Sequence, residues 1–149
     1  MVKQDLKNSE NRNYIAVYGT LRRGFHNHKL LEFFQADYLG KSKTVEKYPM
    51  VIKHGIPFVG QMKRNEMGSQ IAVEIYRVSD ECLDQLDKLE GEPDWYHREE
   101  VSLEGFERVN QLGISIQMYF AHEIDRMTDD DLKGVLEESG DFHSWLWDK

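Results

Sequence analysis

The stretch Tyr14-Ile15-Ala16-Val17-Tyr18-Gly19-Thr20-Leu21-Arg22-Arg23-Gly24 decides how the chain is read. Ile15, Ala16 and Val17 form a short apolar run between two tyrosines, the pattern of a buried strand. Gly19 ends the run, where a residue without a Cβ lets the backbone take a positive φ or lie close to a ligand. The N–H groups of Thr20 and Leu21 are then free to point into a cavity and hold an oxyanion or a carboxylate. An ordinary strand-to-turn junction is the commoner meaning of such residues taken alone, so the turn needs a chemical partner.

Working outward, Asn27 is placed to cap a helix whose Leu30, Leu31 and Phe34 share one face. Extended segments are expected at Tyr38 to Val45 and Met50 to Ile52, with Pro49, Gly55 and Pro57 marking bends. From Ile71 to Val78, Ile71, Val73 and Ile75 alternate with Ala72, Glu74 and Tyr76, which specifies a strand with two distinct faces. Ser79 then caps a helix with Asp80 and Glu81 in its first turn and Lys88 in its last, and Gly91 ends it. Cys82, Leu83, Leu86 and Leu89 lie on its core side, and Glu90 is its last residue. Two more strands are expected within Trp95 to Leu103 and Ile114 to Phe120, joined by a turn over Glu104 to Gly113. A short acidic helix is expected between Asp129 and Glu138, followed by an aromatic tail of Phe142, Trp145, Leu146 and Trp147 that either packs on its own domain, the commoner case, or forms an exposed partner site. Met1 to Asn13 reads as a flexible leader, and residues 14–149 as one domain.

The 149 residues carry 27 Asp plus Glu against 19 Lys plus Arg, a formal charge of -8. Such a surface repels phosphate backbones and anionic membranes, which argues against nucleic-acid and membrane partners. The single cysteine, Cys82, permits no intrachain disulfide and fits a reducing compartment. There is no secretory signal or membrane-spanning run, so a cytoplasmic protein is expected.

The turn acquires its partner in Leu83-Asp84-Gln85-Leu86-Asp87-Lys88-Leu89-Glu90-Gly91-Glu92-Pro93-Asp94-Trp95-Tyr96-His97-Arg98. A Tyr-Gly-Thr-Leu turn near the N-terminus, followed by a Glu after a Leu-Asp-containing helix and a Tyr a few residues on, resembles the γ-glutamylcyclotransferase superfamily. The matching residues are Tyr18, Gly19, Thr20, Leu21, Glu90 and Tyr96. Arg22-Arg23-Gly24, Asn27-His28 and Tyr48-Pro49 are most similar to its γ-glutamylamine cyclotransferase branch. The resemblance covers Tyr14 to Phe120 and implies an α+β fold with a mixed, curved or barrel-like sheet and flanking helices.

It also implies a reaction. The α-amine of a γ-glutamyl amine attacks its own γ-carbonyl, closing a five-membered lactam, 5-oxoproline, and expelling the amine. A free α-amine has a pKa of about 8 and is mostly protonated at neutral pH, so a base is needed. Glu90 is the candidate, its own pKa raised by burial among Leu89, Trp95 and Tyr96. The Tyr18 to Leu21 turn would hold the α-carboxylate or the oxyanion, and Tyr96 would orient substrate or Glu90. Because the attack is intramolecular, no cofactor, metal or nucleophilic side chain is required. The leaving amine would be ε-lysyl if the closest branch is a true guide. A binding protein that keeps the cavity without catalysis is the alternative, and the retained Glu90 speaks against it.

Other residues rank lower. Glu74 points into the cavity or faces solvent. Glu92 and Asp94 are surface charges. Arg22 and Arg23 either guide an anionic substrate or, as loop arginines usually do, sit in solvent. His26 and His28 lack a third metal ligand nearby. Cys82, on the leucine face, is inert core.

Overall fold

A computed structural model describes residues 11–25, 27–62, 67–92 and 95–142 of the chain. The expectations for residues 1–10, His26, Pro93, Asp94, Trp145, Leu146 and Trp147 lie outside the described residues. The strands are β1 (Asn11–Val17), β2 (Asp37–Tyr48), β3 (Met50–Lys53), β4 (Ile56–Val59), β5 (Ser69–Ser79), β6 (Tyr96–Glu100) and β7 (Ile116–Ala121). The helices are α1 (His28–Phe33), α2 (Asp80–Glu90), α3 (His122–Asp125) and α4 (Asp129–Lys133), with a 3-10 turn at Glu107–Leu112. No described helix is long and apolar enough to cross a membrane.

Five strands form one mixed sheet in the order β2-β5-β1-β7-β6, in which only β1 and β7 run parallel. The two edges of that sheet approach each other. Thr44 of β2 bridges Leu103, just beyond β6, and the N–H groups of Val45 and Glu104 donate to the carbonyls of Ser102 and Lys43, both at 2.9 Å. The sheet therefore curls into a barrel, as expected for this α+β chain, and its exposed edges are reduced. The hairpin β3-β4 forms a separate two-stranded sheet.

Period-two alternation divides the core. Ala16, Ile71, Val73, Ile75, Ile116, Met118 and Phe120 point into the barrel. Ile15, Val17, Tyr76 and Val78 point out and are covered by Leu31 of α1 and by Cys82 and Leu86 of α2. Each such Val, Leu, Ile, Met or Phe contributes roughly 1.5–3 kcal/mol when fully buried. Leu89 departs from the expectation for its helix face. It is 47% exposed, because the last turn of α2 runs past the sheet to the rim of a cavity.

Some boundaries differ from those read in the sequence. Asn11–Asn13, assigned above to the leader, pair with Ser79 and Val78 in β1, and the Asn11 amide donates to the Gln35 carbonyl at 3.0 Å. β2 continues through Tyr48, past register shifts that interrupt its alternation. The acidic helix spans only Asp129–Lys133, capped by Thr128, whose hydroxyl accepts from the Asp131 N–H at 3.1 Å.

Candidate active site

Strand direction explains how distant residues meet. β1 and β7 run parallel, so Tyr18 and Tyr119 emerge at one end of the barrel, and the pairing of Tyr96 with Ala121 brings Tyr96 to the same end. β5 runs the other way, with Ser79 opposite Asn11, so α2 starts at the far end. Its 11 residues, about 16 Å at 1.5 Å per residue, carry the chain back to deliver Glu90 near the β1 turn. The ends of α2 are locally encoded. The Ser79 hydroxyl accepts from the Cys82 N–H at 3.1 Å. At the other end Gly91 takes φ +68°, and the N–H groups of Gly91 and Glu92 return to the carbonyls of Lys88 and Asp87.

Tyr18, Gly19, Thr20, Leu21, Glu90 and Tyr96 all line one cavity of about 320 Å³. Ala16, Val17, Asn27, Ile56, Pro57, Phe58, Leu89 and Tyr119 complete its wall. Burial pushes the half-buried Glu90 carboxyl up to about 7. Burial first, then the nearby Glu90, holds the Tyr96 phenol well above its ordinary range. Tyr18 is likewise kept protonated by burial and by Tyr96 and Glu90. Its hydroxyl donates to the Tyr119 carbonyl at 2.8 Å, so it braces the cavity with that group.

The turn is held from several sides. The Arg22 N–H closes it on the Gly19 carbonyl at 3.0 Å. Asn27 donates to the Thr20 hydroxyl at 2.7 Å, and His28 Nδ1–H to the Leu21 carbonyl at 2.9 Å. Asn27 therefore makes no side-chain cap for α1, the role read for it in the sequence; its amide is engaged by the turn instead. Among the described residues nothing accepts a hydrogen bond from the N–H of Thr20 or Leu21. Gly19 does not adopt a positive φ. The constraint at Gly19 is instead a close approach by Pro57, whose Cγ lies 3.1 Å from where a Cβ would stand.

Glu74 neither enters the cavity nor faces solvent. It is 3% exposed behind the turn, where Oε1 accepts from the Arg23 N–H at 2.8 Å and the Tyr76 hydroxyl at 2.9 Å. Arg22 is buried rather than solvated, with Nη1 on Asp141 at 2.9 Å and Nε 3.9 Å from Glu74. The Arg23 guanidinium lies over the Tyr38 ring, 4.6 Å from its centre. One turn before Glu90, Asp87 receives the Arg98 fork at 2.7 and 3.1 Å and the Tyr119 hydroxyl at 2.6 Å, which fixes the end of α2 against β6 and β7. Cys82 is fully buried, and burial pushes its thiol up to about 11.

The sequence missed the wall made by β4 and Tyr119. Ile56-Pro57-Phe58-Val59 after Gly55 carried a strand signal, with the proline tolerable on a two-stranded hairpin. Tyr119 lies in a strand whose alternation placed it opposite Met118 and Phe120.

The chain is similar to several known proteins. A candidate gamma-glutamylcyclotransferase of Methanocaldococcus jannaschii is 37% identical over 134 residues, 89% of this chain and 97% of its own. The gamma-glutamylaminecyclotransferase C of Danio rerio is 40% identical over 96 residues, 61% of this chain. The match spans about three fifths of that relative, 62% of its length. The crystal structure of an AIG2-like protein from Mus musculus superposes with a TM-score of 0.59 at 32% identity, covering 73% of this chain and 75% of that one. The model of the family described as Gamma-glutamyl cyclotransferase, AIG2-like matches residues 15–145, and the chain belongs to that family.

Proposed function

We propose that the protein is a γ-glutamylamine cyclotransferase, converting a γ-glutamyl amine to 5-oxoproline and free amine, with Glu90 as its acid and base. The observation that carries this is Glu90 itself. A carboxyl whose pKa is about 7 shares a small cavity with the Thr20 and Leu21 amides. An ordinary carboxylate would be too weak to take a proton from an ammonium of pKa about 8, whereas one near 7 is well matched. The cavity is at the small end of the range of about 300–1,000 Å³ for small-molecule sites, which suits folding one glutamyl group on itself.

The ionised Glu90 takes a proton from the α-ammonium. The freed nitrogen forms a bond to the γ-carbon, and the carbonyl electrons move to oxygen. The N–H groups of Thr20 and Leu21 hold the α-carboxylate or that oxyanion, and Tyr96 orients the substrate or Glu90. As the oxyanion collapses, the bond to the leaving nitrogen breaks and Glu90 returns its proton there; the carboxylate so regenerated takes the second proton from the ring nitrogen and passes it to the departing amine, so the products are the neutral lactam and an ammonium. No water is consumed. Holding the amine against the carbonyl supplies most of the acceleration, since effective molarities reach about 10⁵–10⁸ M for well-oriented intramolecular attack.

Incubation with a panel of γ-glutamyl amines, with 5-oxoproline measured, tests the proposal. Product from at least one, lost on Glu90→Gln with the fold intact, is expected. Ligand binding without product from any of them would instead identify a binding protein. Normal turnover by Glu90→Gln would remove Glu90 from its role.

A further inference from the structure

After α4 the chain returns to the β1 turn as a strap. Leu136 bridges Val51 of β3, and the Glu137 N–H donates to the Met50 carbonyl at 2.8 Å. The Ser69 hydroxyl donates to the Glu138 carbonyl and the Ala72 N–H to the Gly140 carbonyl, the latter at 2.9 Å, so the strap crosses the Ser69 end of β5. It ends on the segment that follows the turn. Phe142 is buried there with its ring centre 5.3 Å from that of Phe25, and Asp141 accepts from Arg22 Nη1 at 2.9 Å.

Arg22 depends on that carboxylate. Its side chain is only 7% exposed, and its Nε makes no hydrogen bond. Glu74 stands 3.9 Å from Nε, with its Oε1 already shared by the Arg23 N–H and the Tyr76 hydroxyl. Among the described residues the one hydrogen bond of the guanidinium is therefore that to Asp141. A buried cation deprived of a partner moves toward water or another acceptor, because staying desolvated and short of partners costs more. The Arg22 backbone does not move alone. Its N–H closes the turn on the Gly19 carbonyl, with Thr20 and Leu21 between them. Misplacing a positioned group by about 1 Å can cost roughly 10²-fold in rate.

We infer that Asp141 is a positioning residue for the turn: through Arg22 it sets the direction of the Thr20 and Leu21 N–H groups, so the C-terminal strap forms part of the site. Asp141 lies beyond Phe120, outside the stretch that carries the family motifs. What the two N–H groups hold rests on the cyclotransferase reading; that Asp141 fixes them does not.

The test measures amide hydrogen exchange and release of 5-oxoproline from a γ-glutamyl amine for the unaltered protein, Asp141→Ala and Asp141→Asn, which keeps a neutral acceptor. In Asp141→Ala the Arg22 N–H should exchange at least tenfold faster while the amides of β7 keep their rates. Its kcat/KM should fall at least tenfold with the lower kinetic pKa still about 7, because Glu90 has not moved. Asp141→Asn should fall between the two, and it decides by the same comparison if the alanine variant does not fold. Unchanged exchange at Arg22, or equal acceleration at Arg22 and across β7, overturns the inference. Full activity with a loosened turn, or a shifted lower pKa, overturns it as well. If the unaltered protein releases product from no γ-glutamyl amine, the cyclotransferase reading falls, and the exchange rates alone decide whether Asp141 fixes the turn.

Discussion

The Arg23 N–H donates to Glu74 Oε1 at 2.8 Å, tying the segment that follows the Tyr18 to Leu21 turn to the middle of β5. The same oxygen accepts from Tyr76, and Arg22 lies beside the carboxylate, so one buried acid stabilises the backbone of the turn from behind. Glu74→Ala leaves the Arg23 N–H, the Tyr76 hydroxyl and the Arg22 cation short of a partner. It should cost about 3–5 kcal/mol in urea denaturation. Glu74→Gln keeps a neutral acceptor and should cost about 1–2 kcal/mol, with KM rising more than kcat falls.

Under the proposed mechanism Glu90 makes opposite contributions to activity and stability. Unfolded, its carboxyl ionises near 4.5; folded, burial raises this to about 7. Between those values the native state holds the extra proton, so stability falls as pH rises, and the loss is complete above about pH 7. Glu90→Gln, which cannot ionise, should therefore be inactive yet more stable at pH 8 by up to about 3 kcal/mol. The difference should shrink as pH falls and disappear below about pH 4.5. Chemical denaturation of both proteins at pH 4.5, 6 and 8 checks this, and a constant difference would contradict it.

The kinetic counterpart follows from the same group. Proton abstraction needs the ionised carboxylate, so log kcat/KM should rise with unit slope up to about pH 7. It should fall again as the free substrate amine, of pKa about 8, loses the proton that Glu90 is to relay. An N-alkylated substrate with a shifted amine pKa should move only the upper limb. Movement of both limbs would argue against Glu90 as the origin of the lower one.

Asp87 sets where Glu90 stands. It receives Arg98 and Tyr119 one helical turn earlier, so the end of α2 is fastened to both strands beneath it. Tyr119→Phe removes one of these bonds and should cost about 1.5–3 kcal/mol. Asp87→Ala leaves the Arg98 guanidinium without its carboxylate and should cost more, with kcat lowered through a displaced Glu90. A shift in the lower kinetic pKa of the surviving activity separates that displacement from simple destabilisation.

Local signals were legible and long-range ones were not. Ile71, Val73 and Ile75 declared their strand by alternation, and Ser79 and Gly91 declared both ends of α2, because each signal lies within a few neighbouring residues. The turn and Glu90 could be paired only through their resemblance to a family. The burial of Arg22 depends on Asp141, 119 residues away, and on Glu74 in another strand, so its local context suggested a solvated arginine. The closure of the barrel by Thr44 and Leu103 was hidden likewise, since the register shift between Lys43 and Lys47 breaks the alternation that would reveal it. Asn27 carried a valid capping signal, but tertiary contact with Thr20 took its side chain.

Gly19 offers a test of the cavity wall that does not touch the proton chemistry. Its φ is not positive, so alanine brings no backbone strain there; the obstacle is Pro57 Cγ at 3.1 Å. Pro57 must give by a few tenths of an ångström, and where repuckering of its ring does not supply that, the tip of β4 moves outward and widens the cavity. Gly19→Ala should raise KM several-fold at a stability cost of about 1–3 kcal/mol, the range for mild overpacking. Pro57→Ala removes the obstructing carbon. In the double variant the KM defect of Gly19→Ala should be largely repaired, giving a coupling of about 0.5–3 kcal/mol in the mutant cycle. Additive effects would mean that Gly19 serves the turn through its own backbone and not through its fit against the hairpin.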